Sequence, residues 1–533
     1  MSTAVTEAVA ERPGGTVARV KQLVLSPQGG VTAIVLIFLA ISAWWLTRDV
    51  RMINLDNAKH VNIALQWRTA LKTGDLLGPL RTYNVYPPGT HIVGALGALI
   101  FGARISAVVM AHNLVFVPLL ALGCYGAASV AFDRRTGLLA ALFAFAAPMV
   151  ISLFHQGLPD APLTATVALT VWLLLASERF SRVGVAAAAG VAAGLGMYTK
   201  STFALFVIGL IAMLLVRGGW RNPKGFALFS VIVLALTAPY YVDQFSAIEE
   251  QTSGHLTAAL PIWYGSVPYP DRASVANFTW YFWNLVNNQL LLPLTLFFLA
   301  GAGWALARIA RAPRDSGYLP ELLAGGFVGY FAVSLLVLKD PRYTLPCLVY
   351  VALLGTAWIA QLERRGRMVM TAAFVVIALF NTAMVNLGVG GVKSIDLPMA
   401  VDSPIGQYKF TLTNQNGYFA GKPSREGEPL VALLDDLVAD GMPIAIFDPG
   451  TFQSGGYHLT GLALLSLQSK AQLPAFSPEA VTGRDVAWIV RAPVKAVGRP
   501  PCLMSPLADD GTGIYVYRGR VPKNLSRATT HCP

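Results

Sequence analysis

Charge is scarce in this chain. Only 13% of its 533 residues are Asp, Glu, Lys or Arg, against about 25% in a soluble domain. Acids are scarcer than bases, 28 against 40. So little charge, spread between apolar runs of roughly 17 to 25 residues, excludes an ordinary soluble enzyme and means a polytopic α-helical membrane protein. Cysteine is scarce too, with four residues. Cys124 and Cys347 fall inside apolar runs as small packing residues. Cys502 and Cys532 fall in a polar C-terminal region, where a disulfide requires that region to lie outside the cytoplasm. No zinc-ligand spacing, phosphate-binding loop or serine-hydrolase motif occurs.

The bases that are present cluster in short loops. Arg134-Arg135, Arg179/Arg182, Arg217/Arg221/Lys224, Arg308/Arg311/Arg314 and Arg364/Arg365/Arg367 each separate two apolar runs. Such clusters mark the cytoplasmic side. They account for much of the net charge of +12, so a nucleic-acid partner is not expected; the lipid bilayer is. The first run, from about Gly30 to Leu46, follows Arg12, Arg19 and Lys21. Its length and Trp44-Trp45 suit an uncleaved signal anchor better than a cleaved signal peptide.

Parity then orders the chain. The apolar stretch from Pro87 to Gly102 is too short to cross. Counting it as a span would put Arg134-Arg135 outside, so it reads as an in-plane or re-entrant helix. The stretch "DNAKHVNIALQWRTALKTG" before it has Val61, Leu65 and Leu71 at near-helical spacing and reads as a second surface helix. About eleven crossings result: 30–46, 105–132, 136–154, 161–176, 183–199, 202–216, 225–242, 281–306, 321–338, 343–361 and 368–388. Trp280, Tyr281 and Trp283 are expected in an interfacial aromatic belt. The domains are a cytoplasmic tail (1–29), a transmembrane domain (30–388) with a first outer loop (47–104), and a small extracytoplasmic α/β domain (389–533). In the last, "EPLVALLDDLVADGM" reads as a helix, and "PIAIFDP", "DVAWIVRAP" and "GIYVYRG" read as strands.

Because acids are few, those on the outer side carry information. Asp56 follows the first span, and Asp160 opens the fourth within "HQGLPDAPL". "YPPGTH" (86–91) opens the in-plane helix, Lys200 ends "YTK", and "KDPRYTLP" (339–346) joins two spans. Parity puts all of them on one face. The set suits displacement of a phosphate from a sugar: a carboxylate takes the acceptor's proton and cations stabilise the departing phosphate. Asp56 fits the base. Lys200 and Arg342 fit the phosphate clamp, with Tyr343 or His91 as further donors. His60, Tyr86 and His155 are supporting candidates, His60 lying four residues after Asp56 on one helix face. Plainer readings stand beside these. Asp160 also suits a helix N-cap, Lys200 and Arg342 also suit snorkelling anchors, and His112 and Asn113 suit packing hydrogen bonds. A divalent metal between Asp56 and Asp160 has only a weak signal, and no other cofactor is implied.

In this order the motifs resemble the GT-C superfamily of membrane glycosyltransferases. The similarity is to its polyprenyl-phosphate-sugar branch, which includes protein O-mannosyltransferases and lipid A aminoarabinose transferases. It covers roughly residues 30–390 and rests on Asp56, "YPPGTH", "PDAPL", "GLGMYTKS" and "RYTLP". The resemblance implies that Asp56 is the catalytic base, that Asp160 supports the site or acceptor, and that Lys200 and Arg342 hold a lipid phosphate. The family usually has a second acid after the first; Asn57 stands there, which favours a metal-independent displacement. Related chains often have a base before the Pro-Pro pair, where this chain has Tyr86. The function expected is an inverting glycosyltransferase taking a monosaccharide from a polyprenyl-phosphate donor to an acceptor hydroxyl; the acceptor is left open. The alternative is a transporter or flippase of a lipid-linked saccharide. A cluster of charges at the outer face favours the enzyme, and a central polar path favours transport.

Overall fold

A computed structural model of the chain describes residues 26–51, 55–82, 86–250, 274–336 and 339–391, and short pieces beyond them. Helix α1 (Pro27–Leu46) begins at Ser26, whose side chain accepts from the Gly29 N–H at 3.1 Å. Then follow α2 (Leu55–Thr73), α3 (Leu77–Thr82), α4 (Gly89–Ile100), α5 (Ile105–Ala131), α6 (Arg134–Ala146), α7 (Pro148–Phe154), α8 (Asp160–Ala176) and α9 (Val183–Met197). The second half holds α10 (Ile208–Val216), α11 (Pro223–Asp243), α12 (Val275–Asn284), α13 (Leu291–Arg311), α14 (Leu319–Ser334), α15 (Leu348–Ala357) and α16 (Arg364–Leu387). Among the described residues five helices, α1, α5, α11, α13 and α16, are long and apolar enough to cross a bilayer; α6 and α7, bent by 67°, make a sixth if they count as one span. The protein is a multi-pass membrane protein.

Several expected spans are not single helices. The third breaks at Pro148, which has no N–H to continue α6. The sixth starts as a 3-10 turn (Ser201–Phe206). The eighth is divided: α12 leads into a π-helical turn (Leu285–Gln289), and α13 starts at Leu291 with φ +62°. π-turns recur at functional sites, and this one faces the loop carrying Arg342. Trp280 and Tyr281 are buried rather than in an interfacial belt, and Lys339 Nζ lies 5.3 Å from the Tyr281 ring centre.

Small residues set the helix spacing, as expected where lipid gives no hydrophobic drive to association. A Cβ at Gly123 on α5 would lie 2.5 Å from the Ala168 carbonyl carbon of α8. A Cβ at Gly97 on α4 would lie 2.3 Å from Ala111 Cβ of α5. The first contact joins α5 to α8, and the second seats α4 on α5.

The end of the helices that carries Arg179 and Arg217 holds a buried ion cluster. Glu321 has no exposed surface and accepts from Arg179 at 3.0 Å and Arg217 at 3.2 Å. Two of the basic clusters are therefore tied to α14. Glu321→Gln should lower the unfolding temperature in detergent by an amount corresponding to about 3 kcal/mol. That is the lower end for breaking a buried pair, because both guanidinium groups reach water. An unchanged melting curve would show that the cluster contributes nothing net.

The C-terminal region contributes two sheets. β1 (Lys393–Asp396) pairs antiparallel with β2 (Lys409–Thr413). A four-stranded sheet has the order β3 (Ile444–Phe447), β4 (Asp485–Arg491), β6 (Ile514–Arg520), β5 (Ser505–Pro506), with β3 and β4 parallel and the rest antiparallel. The three expected strands are present. The expected helix at 428–442, apart from Glu428, and both Cys502 and Cys532 lie outside the described residues. The piece 421–425 docks beside the end of α1: Trp45 Nε1 donates to the Gly421 carbonyl at 2.8 Å, and the Ser424 N–H donates to Asp49 at 2.8 Å. Thr411 donates to Asn287 of the π-turn. These segments thus pack at the end of the helices where Asp56 and Arg342 lie.

Candidate active site

Three segments far apart in sequence meet around Asp56. It stands in the first turn of α2, where a carboxylate is favoured by the helix dipole. Arg342 Nη1 donates to Asp56 Oδ2 at 2.7 Å. The rest of the Arg342 fork faces Asp340: Nε donates to Oδ1 at 2.9 Å and Nη2 to Oδ2. Lys200 Nζ donates to Asp160 Oδ1 at 2.7 Å and lies 5.3 Å from the Tyr343 ring centre. The two pairs feel each other: Lys200 acts on Asp56, and Asp160 on Arg342.

The loop carrying Arg342 is held from beneath. Asn284 and Gln289 both donate to the Pro341 carbonyl, at 2.9 and 2.7 Å, and Gln289 also donates to Thr344. Asn277 and Lys339 share the Ser334 carbonyl. The polar run "NLVNNQ" inside an apolar stretch is the sequence signal for this support. On the other side, the Gly89 N–H donates to the Tyr198 carbonyl at 2.9 Å. A Cβ at Gly89 would lie 2.7 Å from that oxygen. This contact joins "YPPGTH" to "YTKS". His112 adds a bond from Nε2 to the Thr90 carbonyl at 2.8 Å.

Asp160 is the first helical residue of α8, and its side chain caps nothing; the N-cap reading gives way to the bond from Lys200. Snorkelling gives way likewise, since Lys200 and Arg342 both bond carboxylates. His91 does not offer a free donor: both ring nitrogens are engaged, Nε2 with His60 Nδ1 at 2.9 Å and Nδ1 with the Pro87 carbonyl at 3.3 Å. Tyr86 stands edge-on to His60 at 4.8 Å between ring centres. His155 lies elsewhere, stacked on Trp45 at 4.2 Å. Asn57 donates to Gln156. Two residues that do not stand out in the sequence belong here. Asp340 holds the Arg342 fork. Lys59 is exposed and donates from Nζ to the Tyr86 hydroxyl at 3.2 Å.

The residues do not fit a divalent ion. Asp56 and Asp160 each face a cation, and among the described residues no group of three or more His, Cys, Asp or Glu could hold a metal.

Burial works to raise the Asp56 carboxyl, but the charges of Arg342, which also donates to it, and Lys200 overcome it and hold the group down to about 2. Burial pushes His60 down to about 4, against the pull of Asp56 and Asp160, and Lys200 and Arg342 push the same way as burial. Burial likewise puts His91 well below 6.5. Folding therefore keeps these imidazoles neutral, whereas the unfolded chain binds protons below about pH 6.5. The stability this gives is full above that pH and lost as pH falls toward 4. The unfolding temperature should accordingly drop between pH 7 and pH 5, by the equivalent of roughly 1–2 kcal/mol per imidazole. A pH-independent midpoint would contradict the neutral assignment.

The sequence profile of the dolichyl-phosphate-mannose-protein mannosyltransferase family matches residues 85–242. No curated protein sequence matches the chain. The fold is similar to the crystal structure of ArnT from Cupriavidus metallidurans bound to undecaprenyl phosphate: TM-score 0.58, 15% identity, 91% of this chain and 98% of that one covered. The apo structure of the same protein gives TM-score 0.53 at 15% identity, covering 86% and 93%. At that identity the likeness concerns the fold, and the family profile adds sequence relatedness over the segment from the Pro-Pro turn to α11. This chain is therefore related to the GT-C membrane glycosyltransferases, with a mannosyltransferase-like segment inside an ArnT-like fold.

Proposed function

We propose that this protein is an inverting glycosyltransferase that moves a monosaccharide from a polyprenyl-phosphate donor to an acceptor hydroxyl at the extracytoplasmic face. The carrying observation is the Asp56–Arg342–Asp340 cluster, beside the Lys200–Asp160 pair, at the end of the helices opposite the Glu321 cluster. With eleven crossings, the shorter apolar helices counted as spans, that end lies outside in this reading, and residues 389–533 form an extracytoplasmic α/β domain.

In this reading Asp56 takes the proton of the acceptor hydroxyl. The acceptor oxygen bonds to the anomeric carbon, and the carbon–oxygen bond to phosphate breaks with its electron pair left on the phosphate. A single displacement inverts the configuration. A carboxyl held at about 2 is a weak base, and the donor supplies the correction. Its phosphate competes for Arg342 Nη1, since guanidinium binds phosphate as it binds carboxylate. Asp56 loses its strongest partner at the moment a base is needed. Lys200 and Tyr343 flank the same phosphate, and Asp160 keeps Lys200 in place. Lys59, against Tyr86, supplies the cation that the family resemblance expects before the Pro-Pro pair.

Among the described residues, the ion pairs of the helical region fall at its two ends, with none between them. That supports transfer over transport. The test is purified protein in vesicles given synthetic polyprenyl-phosphate monosaccharides, with products read by mass spectrometry. Release of polyprenyl phosphate together with a glycosylated acceptor is expected. Movement of intact donor across the vesicle membrane without cleavage would favour the transporter.

A further inference from the structure

The two buried histidines beside Asp56 form a chain with only one consistent proton arrangement. The His60 and His91 rings are nearly parallel, 13° apart with centres at 5.2 Å. His91 Nδ1 faces the Pro87 carbonyl at 3.3 Å. A carbonyl only accepts, so His91 carries its proton on Nδ1. A neutral imidazole has one N–H, which leaves His91 Nε2 as an acceptor. His60 Nδ1, 2.9 Å from that nitrogen, must then be the donor. His60 Nε2 is left with a bare lone pair, and it faces Asp56 Oδ1 at 3.7 Å. Two acceptors thus point at each other with no proton between them, beside the carboxylate read above as the base.

We propose that His60 is a positioning residue that receives, at Nε2, the proton Asp56 takes from the acceptor hydroxyl, and that His91 and the Pro87 carbonyl fix the His60 tautomer this requires. The proposal rests on Asp56 being the base. The balance is simple. The acceptor O–H bond breaks, its proton passes through an Asp56 oxygen to His60 Nε2, and the electron pair of the broken sugar–phosphate bond leaves with the phosphate. Asp56 returns to carboxylate facing an imidazolium, and the proton goes back through Asp56, 37% exposed, to water after product leaves. The 3.7 Å gap exceeds a hydrogen bond by roughly 0.7 Å; catalytic hydrogen bonds are often long in ligand-free sites and tighten with substrate. The groups that face His60 are Asp56 on its own helix, His91 from α4 and the Tyr86 ring edge, with the charges of Lys200, Asp160 and Arg342 acting on it.

The first test is ¹⁵N NMR of the full chain in nanodiscs at neutral pH without ligand, with the His60 signals assigned by their loss in His60→Gln. The expected result is a protonated Nδ1 and a bare Nε2, the minority tautomer of free histidine. Protonated Nε2 would overturn the proposal. His91→Phe removes the acceptor and should release His60 to the Nε2–H form; an unchanged tautomer would show that His91 does not set it. The second test is kinetic, using whichever synthetic polyprenyl-phosphate monosaccharide is turned over. His60→Gln should lower kcat by about tenfold or more, within the lower range of acid–base effects, leave KM for donor within about twofold, and shift the acid limb of kcat against pH. Wild-type kcat and an unshifted limb, with Asp56→Asn inactive, would sink the relay and leave Asp56 as base. Full activity of Asp56→Asn would instead remove the reading beneath it.

Discussion

Asp56→Asn is expected to abolish transfer, lowering kcat by about 10²- to 10⁴-fold, the usual effect of losing a general base. Asn keeps the shape of the side chain and can still accept from Arg342 Nη1, which now bonds Asp56 at 2.7 Å. Arg342 keeps its fork on Asp340, so the loop stays in place. What Asn cannot do is take the acceptor's proton. Donor binding should be little changed, or slightly stronger, because the phosphate no longer competes with a carboxylate for Arg342. Turnover is measured as release of polyprenyl phosphate, and binding is measured separately with polyprenyl phosphate alone. Near-wild-type turnover would take Asp56 out of the mechanism.

Arg342→Ala should have the second largest effect, and should act on binding as well as rate. Arg342 is the only described side chain bonding both Asp56 and Asp340. Removing it leaves two carboxylates without their cation at the place where a phosphate has to sit, so donor binding faces added repulsion. Each charge-assisted bond lost is worth roughly 1.5–3 kcal/mol, or about tenfold to a hundredfold in Kd. Arg342→Lys should recover only part, since an ammonium is a point charge and cannot bridge two acids and a phosphate as a planar fork does. If Arg342→Ala binds polyprenyl phosphate as tightly as the wild type, the phosphate role is wrong. The residue would then be a tether between α2 and the loop before α15.

The two substitutions also show what kind of knowledge each residue needed. Asp56 stood out in the sequence because acids are rare and this one follows a span. Arg342 stood out because "KDPRY" carries cations on the side where the topology has few. Asp340 does not stand out in the sequence although it lies two residues away, since an acid beside a base in a loop reads as self-neutralising. Lys59 does not stand out because nothing in the order of residues brings it to Tyr86; α2 and the turn before α4 must first pack on one another. The eighth span reads as one helix in the sequence because its apolar content is continuous enough. Only "NLVNNQ" hinted at the π-turn, and its amides make sense once the Pro341 carbonyl is seen above them.

The sequence by itself determined that this is a multi-pass membrane protein, and it led to the polar residues that the structure brings together. Those properties are local: an apolar run long enough to match a bilayer core is legible in one dimension, and so is a basic cluster beside it. Tertiary structure alone decided the pairings, because they join positions as far apart as Asp56 and Arg342, 286 residues along the chain. It matched Lys200 with Asp160 and stacked His155 on Trp45. It also closed both His91 nitrogens, so that the residue expected to hold phosphate holds His60 instead. Hydrogen bonds and ion pairs require ångström-scale geometry, and that geometry arises only when glycine-lined helices close on one another and set neighbouring loops side by side.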